Sequence, residues 1–164
     1  FEVMEAYWLY GIKDIEAVIE PTSAIHAVVE FVDGSSTMHL SRPDMKLAIA
    51  HAILEKVSEN IVSHANLLDL KSIKFHKISP KKYPVFSLKD EVLANPDLGV
   101  VINAANEVGV FNFLEKKCSF LDISRLILGS SKKFKDIKIS SVDEIYEVDK
   151  EVREYAKRML NAKV

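Results

Sequence analysis

A single cysteine, Cys118, leaves the sequence no way to form a disulfide within the chain, so a reducing cytoplasm is the expected setting. No apolar run approaches the roughly 20 residues of a membrane-spanning helix, and the chain reads as a non-membrane protein. Neither charge dominates: 22 Lys and Arg stand against 24 Asp and Glu, and a formal net charge of −2 gives no general attraction for nucleic acid. There is no Gly-x-Gly-x-x-Gly fingerprint and no Walker loop, so nothing in the chain alone holds a dinucleotide's phosphates. No Cys/His pair has zinc-finger spacing, and His51, His64 and His76 are scattered, which argues against a dedicated zinc site. Repeats and low-complexity segments are missing too. Cys118 falls in Lys116-Lys117-Cys118-Ser119, an expected turn, where a neighbouring lysine is not enough to make a nucleophile. The first residue is Phe1 rather than Met, with no signal peptide or tag before it, and the expectation is a part of a longer protein.

What remains is a globular composition, 48% hydrophobic and 28% charged over 164 residues, enough for one or two domains. The most informative stretch is EPTSAIHAVVEFVDGSSTMHLSRPDM, from Glu20 to Met45. Two strand-forming runs, Ala24 to Val32 and Ser35 to Ser41, flank Asp33-Gly34, a pair suited to the positive φ angles of a two-residue type I′ turn. That loop pairs Val29 with Met38, Val28 with His39 and His26 with Ser41. Ile25, Ala27, Val29, Phe31, Met38 and Leu40 then share one face, which must pack on something. His26, Val28, Glu30, Thr37, His39 and Ser41 share the other. His26 and His39 become diagonal neighbours, roughly 7–8 Å apart at the backbone, so their side chains can converge on one ligand. The plainer alternative is the wet side of an antiparallel sheet.

The rest of the chain reads as α+β, with helices gathered at the carboxyl end. Phe1 to Tyr10 is the end of a helix stopped by Gly11, and Ile15 to Ile19 is a short strand. Asp44 caps a helix through Ala48, Ile49, Ala52 and Ile53. Ser58 to Ser72 is a connection, and Ile73 to Ile78 alternates like an edge strand. Lys71, Lys74, Lys77, Lys81, Lys82 and Lys89 fall in this region; an anion patch is conceivable, but lysine commonly protects a solvated sheet edge, the reading preferred here. Beyond Pro80, Tyr83 and Pro84 come four helical segments: Phe86 to Leu93, Val100 to Lys116, one opened by Asp122 through Leu128, and one opened by a capping box at Ser141-Val142-Asp143-Glu144. A small antiparallel bundle is their natural assembly. In Ile102-Asn103-Ala104-Ala105-Asn106-Glu107 the alanines permit close packing, and the two asparagines are expected to tie the helix to neighbouring backbone.

Pro21-Thr-Ser-Ala-Ile-His26, Asp33-Gly-Ser35 and Pro43-Asp-Met45 resemble, in order and spacing, the motif run of the 1-deoxy-D-xylulose 5-phosphate reductoisomerase family. Glu2-Val-Met-Glu-Ala6 and Ile102 to Glu107 resemble further segments of it, while the spacer between Trp8 and Pro21 is shorter than in some members. The resemblance implies an NADPH enzyme of non-mevalonate isoprenoid synthesis that uses Mg²⁺ or Mn²⁺ and forms a homodimer. Carried over residue by residue, it implies Glu2 as a metal ligand, His26 as a support of the substrate pocket and Met45 beside the nicotinamide. Glu5 is expected to be structural. It further implies that residues 1–57 close a catalytic domain, 58–79 link it, and 80–164 form a carboxyl-terminal helical domain. The NADPH-binding domain, the phosphate ligands and the other metal carboxylates would precede Phe1, leaving this stretch inactive by itself. The competing reading is a non-enzymatic interaction module that retains the fold.

Overall fold

A computed structural model describes residues 1–70 and 72–162; Lys71 of the lysine run lies outside them. In chain order the elements are α1 (Glu2–Tyr10), β1 (Val18–Ile19), β2 (Ile25–Glu30), β3 (Ser36–Leu40), α2 (Met45–Ile53), β4 (His76–Lys77), a 3-10 turn (Pro84–Leu88), α3 (Lys89–Ala94), α4 (Leu98–Leu114), α5 (Phe120–Lys133) and α6 (Val142–Asn161). The fold is α+β. It divides into two compact units: 1–17 with 78–164, and 18–77. The segment 1–57 is thus shared between them, α1 going with the helices.

In the helical unit α4 is the centre, because its sequence is apolar on nearly every side, as a helix surrounded by others requires. Val101, Ile102, Ala104 and Ala105 are buried on it and meet Leu88, Val92, Ile127, Val148 and Val152 in one core cluster. The expected role of the alanines holds: both are fully enclosed. Gly109 takes α5 closer still, since a Cβ there would stand 3.1 Å from the Ile123 backbone. Val108, Leu126 and Ala156 form a second cluster. α1 ends as its sequence predicts, with Gly11 left-handed at φ 67° and its N–H donating to the Tyr7 carbonyl.

Several boundaries differ from the sequence reading, each for a local reason. Phe86 to Leu93 is not one helix: Pro84 opens a 3-10 turn, and α3 follows from Lys89. α5 begins at Phe120, with Asp122 at its third position, where the carboxylate accepts from the Ser119 N–H (2.9 Å) and hydroxyl (2.7 Å). At α6 only half the expected box forms. The Ser141 hydroxyl accepts from the Glu144 N–H, but the Glu144 carboxylate reaches back one residue further, to the Ser140 N–H and hydroxyl. Those contacts, the Ser140 N–H first, lower the Glu144 pKa. Among the described residues neither Asn103, which is exposed, nor Asn106 makes the expected tie; an asparagine tie to backbone is made by Asn95 after α3, whose Nδ2 donates to the carbonyls of Lys135 (3.2 Å) and Ile137 (3.1 Å). Lys89 is no edge lysine either. Its ammonium, on a side chain 14% exposed, donates to Glu16 at 2.6 Å and to the Ile15 carbonyl at 3.3 Å.

The second unit contains two small antiparallel sheets, β1–β4 and β2–β3. The strands expected over Ile15 to Ile19 and Ile73 to Ile78 shrink to two residues each, with Val18 opposite Lys77 and Ile19 opposite His76. Among the described residues of this unit Ala24 alone is buried. No described helix is long and apolar enough to cross a membrane.

Candidate functional site

The hairpin turns one residue differently from expectation. Gly34 N–H donates to the Phe31 carbonyl and Phe31 N–H to the Ser35 carbonyl, so the loop is Val32-Asp33-Gly34, with Gly34 at φ 87°. Asp33 explains this: its carboxylate accepts from both the N–H (2.8 Å) and the hydroxyl (2.7 Å) of Ser35, an Asx turn that competes with a type I′ loop. The Ser35 hydroxyl is the larger cause that lowers the Asp33 pKa. Val28 therefore faces Met38 and Ala27 faces His39, and the expected partners Val29–Met38 and Val28–His39 do not form. Val28 and Glu30 move to the Met38 face.

The register slips again at His26, an unpaired residue between Ile25↔Leu40 and Ala27↔His39. Such a bulge re-aims one side chain. It brings the His26 ring to 5.9 Å from the His39 ring, centre to centre, and sets His26 Nε2 3.2 Å from the Ser41 carbonyl. The two histidines are neighbours as expected, through the bulge and not through the loop register.

Glu20 holds the start of β2, a role the sequence reading missed. Its carboxylate accepts from the Thr22 N–H and hydroxyl and from the Ala24 N–H, all at 2.8 Å, and from the Ile25 N–H at 3.4 Å. These bonds, led by the Thr22 N–H, hold its pKa at about 2, down from the ordinary 4.5. Between them Ser23 sits in the left-handed region at φ 54°, a conformation that costs a non-glycine residue about 1–3 kcal/mol unless its surroundings fix it. The available signal was a carboxylate placed before Pro21-Thr22-Ser23, a turn rich in donors.

Asp44 caps α2 through the Lys46 N–H at 2.9 Å, which makes Met45 the first helical residue. Met45 is 70% exposed. A cleft of about 650 Å³ opens in the same unit beside Ser41, Arg42, Asp44, Lys46 and Ser63. Glu2 belongs to the other unit, in the first turn of α1, and is exposed, as is Glu5. A groove of about 1150 Å³ beside α1 is lined by Met4, Glu5, Trp8, Val100, Tyr146 and Arg153, with Glu2 outside it. No three His, Cys, Asp or Glu side chains among the described residues gather closely enough to hold a metal.

Against known proteins, residues 40–155 match the family model described as the DXP reductoisomerase C-terminal domain. The chain belongs to that family. It is 67% identical over its full length to the 1-deoxy-D-xylulose 5-phosphate reductoisomerase of Campylobacter curvus, of which it covers 45%. Over 98% of its length it is 55% identical to that of Campylobacter hominis, covering 44%. Among solved structures, the reductoisomerase from Zymomonas mobilis in complex with NADPH superposes with a TM-score of 0.85 at 30% identity, over 97% of this chain and 43% of that one. A DOX-P reductoisomerase in complex with NADPH, fosmidomycin and magnesium gives 0.88 at 29% identity, over 98% and 42%. This chain spans less than half the length of the reductoisomerases it matches.

Proposed function

We propose that the complete protein carrying this chain converts 1-deoxy-D-xylulose 5-phosphate to 2-C-methyl-D-erythritol 4-phosphate in the cytoplasm, and that these 164 residues supply one metal ligand and part of the substrate and nicotinamide pocket. The observation that carries the reading is that Glu2, His26 and Met45, the motif residues, are all exposed rather than spent on a core. In a folded protein, exposed residues at motif positions point to binding more than to packing.

The Glu2 carboxylate suits a hard divalent ion, Mg²⁺ or Mn²⁺, which prefers oxygen donors. When bound, that ion would polarise the substrate's carbonyl and hydroxyl oxygens during the rearrangement, and NADPH would supply the hydride for the reduction that follows. Glu2 would fix the ion's position from a helix end. His26, set by its bulge and by the Ser41 carbonyl, would donate or accept a hydrogen bond at the substrate. Met45 would pack its apolar, adaptable side chain against the nicotinamide ring. The remaining carboxylates of the metal site and the nucleotide-binding domain would lie in the part of the longer protein that precedes this stretch, so the isolated chain is expected to be inactive. Exposed Val28, Phe31 and Met38 on the hairpin would suit a homodimer contact.

The test is NADPH oxidation by the complete reading frame with the xylulose phosphate and Mg²⁺ or Mn²⁺, beside its Glu2→Gln variant. The expected result is activity in the parent and a loss on the order of a hundredfold or more in the variant, with unchanged circular dichroism. Equal activity in both removes Glu2 from the metal site. Activity in neither favours the non-enzymatic module.

A further inference from the structure

We propose that His26 and His39 together form an open binding site for a divalent cation of the zinc, nickel and copper class, separate from the hard-ion position assigned to Glu2. The two imidazoles stand 5.9 Å apart between centres and are tilted by 48°. An ion about 2.0–2.1 Å from one nitrogen of each ring sets the ring centres roughly 5–6 Å apart, so the pair can close on one ion with small side-chain rotations. Both histidines are exposed within this stretch, so no packed side chain of the hairpin stands between an ion and the rings.

The hairpin also prepares the ligand. A backbone carbonyl only accepts, so His26 Nε2, 3.2 Å from the Ser41 oxygen, carries the proton and leaves Nδ1 with its lone pair. A ligating histidine commonly has this arrangement, its second nitrogen anchored to a carbonyl. The bulge is the other preparation: it leaves His26 unpaired at the step that puts its ring beside His39. No third His, Cys, Asp or Glu joins them among the described residues, so water completes the coordination and the site is exchangeable rather than structural. Imidazole donors favour zinc, nickel and copper over magnesium, which separates this pair from a carboxylate site. His51, His64 and His76 are equally exposed but take no part in the pair.

The experiment is calorimetric titration of the complete protein with NiCl₂ and ZnCl₂ under saturating Mg²⁺, so that oxygen sites are already filled. The parent is expected to bind one ion that His39→Gln and His26→Gln each weaken about tenfold or more, while His76→Gln leaves it unchanged. A smaller loss in both pair variants, or an equal loss in His76→Gln, overturns the site. Imidazole ¹⁵N spectra of the parent need no variant: on substoichiometric Ni²⁺ the His26 and His39 resonances should broaden together and ahead of those of His51, His64 and His76. Uniform broadening of these five overturns the proposal. None of these readouts depends on turnover, so failure of the reductoisomerase reading would leave them intact.

Discussion

Glu20 governs the hairpin from outside it. Its carboxylate binds backbone N–H groups at Thr22, Ala24 and Ile25, and because only the ionised form accepts from all of them, its pKa falls to about 2. A depressed carboxylate stabilises the fold fully above its unfolded value near 4.5 and loses that contribution as pH falls through about 2. Carboxyl ¹³C NMR should therefore place the Glu20 midpoint near 2, with the Thr22 and Ala24 amide shifts following it. A midpoint at the ordinary carboxylate value would remove this account of the turn. Lys89 has the opposite sign. Glu16 first, then Asp90, raises its pKa, so its contribution is present below the ordinary lysine value and lost as pH climbs through the raised one.

Helix periodicity made α5 and α6 legible, since their apolar residues repeat at the spacing their packing needs, whereas α4, apolar on nearly every side, was legible by its length and its Ile102, Ala105 and Gly109 spacing. The hairpin was legible as a hairpin, but not its register. Asp33-Gly34 permits two loops of different length, and the choice between them rests on Asp33 capturing Ser35, a side-chain contact that spacing does not encode. Helix starts moved where local chemistry chose them: Pro84 opened a 3-10 turn ahead of α3, and the Ser119–Asp122 box started α5 at Phe120, whereas Ser141 capped α6 as expected although Glu144 reaches back to Ser140. Two glycines separate propensity from packing. Gly109→Ala pushes a methyl group towards the Ile123 backbone, which cannot yield cheaply; overpacking of about 1–3 kcal/mol should outweigh a propensity gain of about 1 kcal/mol. Gly129→Ala meets only the flexible end of Met159, at Cε and Sδ, so the same gain should survive. Urea unfolding should rank Gly129→Ala at or above the parent and Gly109→Ala below it; the reverse order would mean that α4 and α5 are not seated against each other at Gly109.

The buried side chains are distributed unevenly over the molecule. Leu126, Val101 and Val152, all essentially without exposure, lie among α4, α5 and α6, whereas the described residues of 18–77 bury only Ala24. Hydrogen exchange on the isolated chain should accordingly find the slowest amides in α4 and α5 and the β2–β3 amides orders of magnitude faster; equal protection in both would require a core that burial does not reveal. The site was less legible than the fold for the same reason. Glu2 and Met45 are exposed side chains whose own neighbourhood specifies nothing about a metal or a ring, and only the resemblance of their motifs singled them out. The helical unit is also discontinuous, with 1–17 returning to pack against 78–164. During synthesis α1 is made before α3, against which it packs, and the roughly 80 residues between Tyr10 and Lys89 take roughly 4–16 s at about 5–20 residues per second. For that interval Met4 and Trp8 stand on a helix whose partner α3 is not yet translated, so α1 is seated late, within reach of any chaperone that recognises apolar segments near the ribosome.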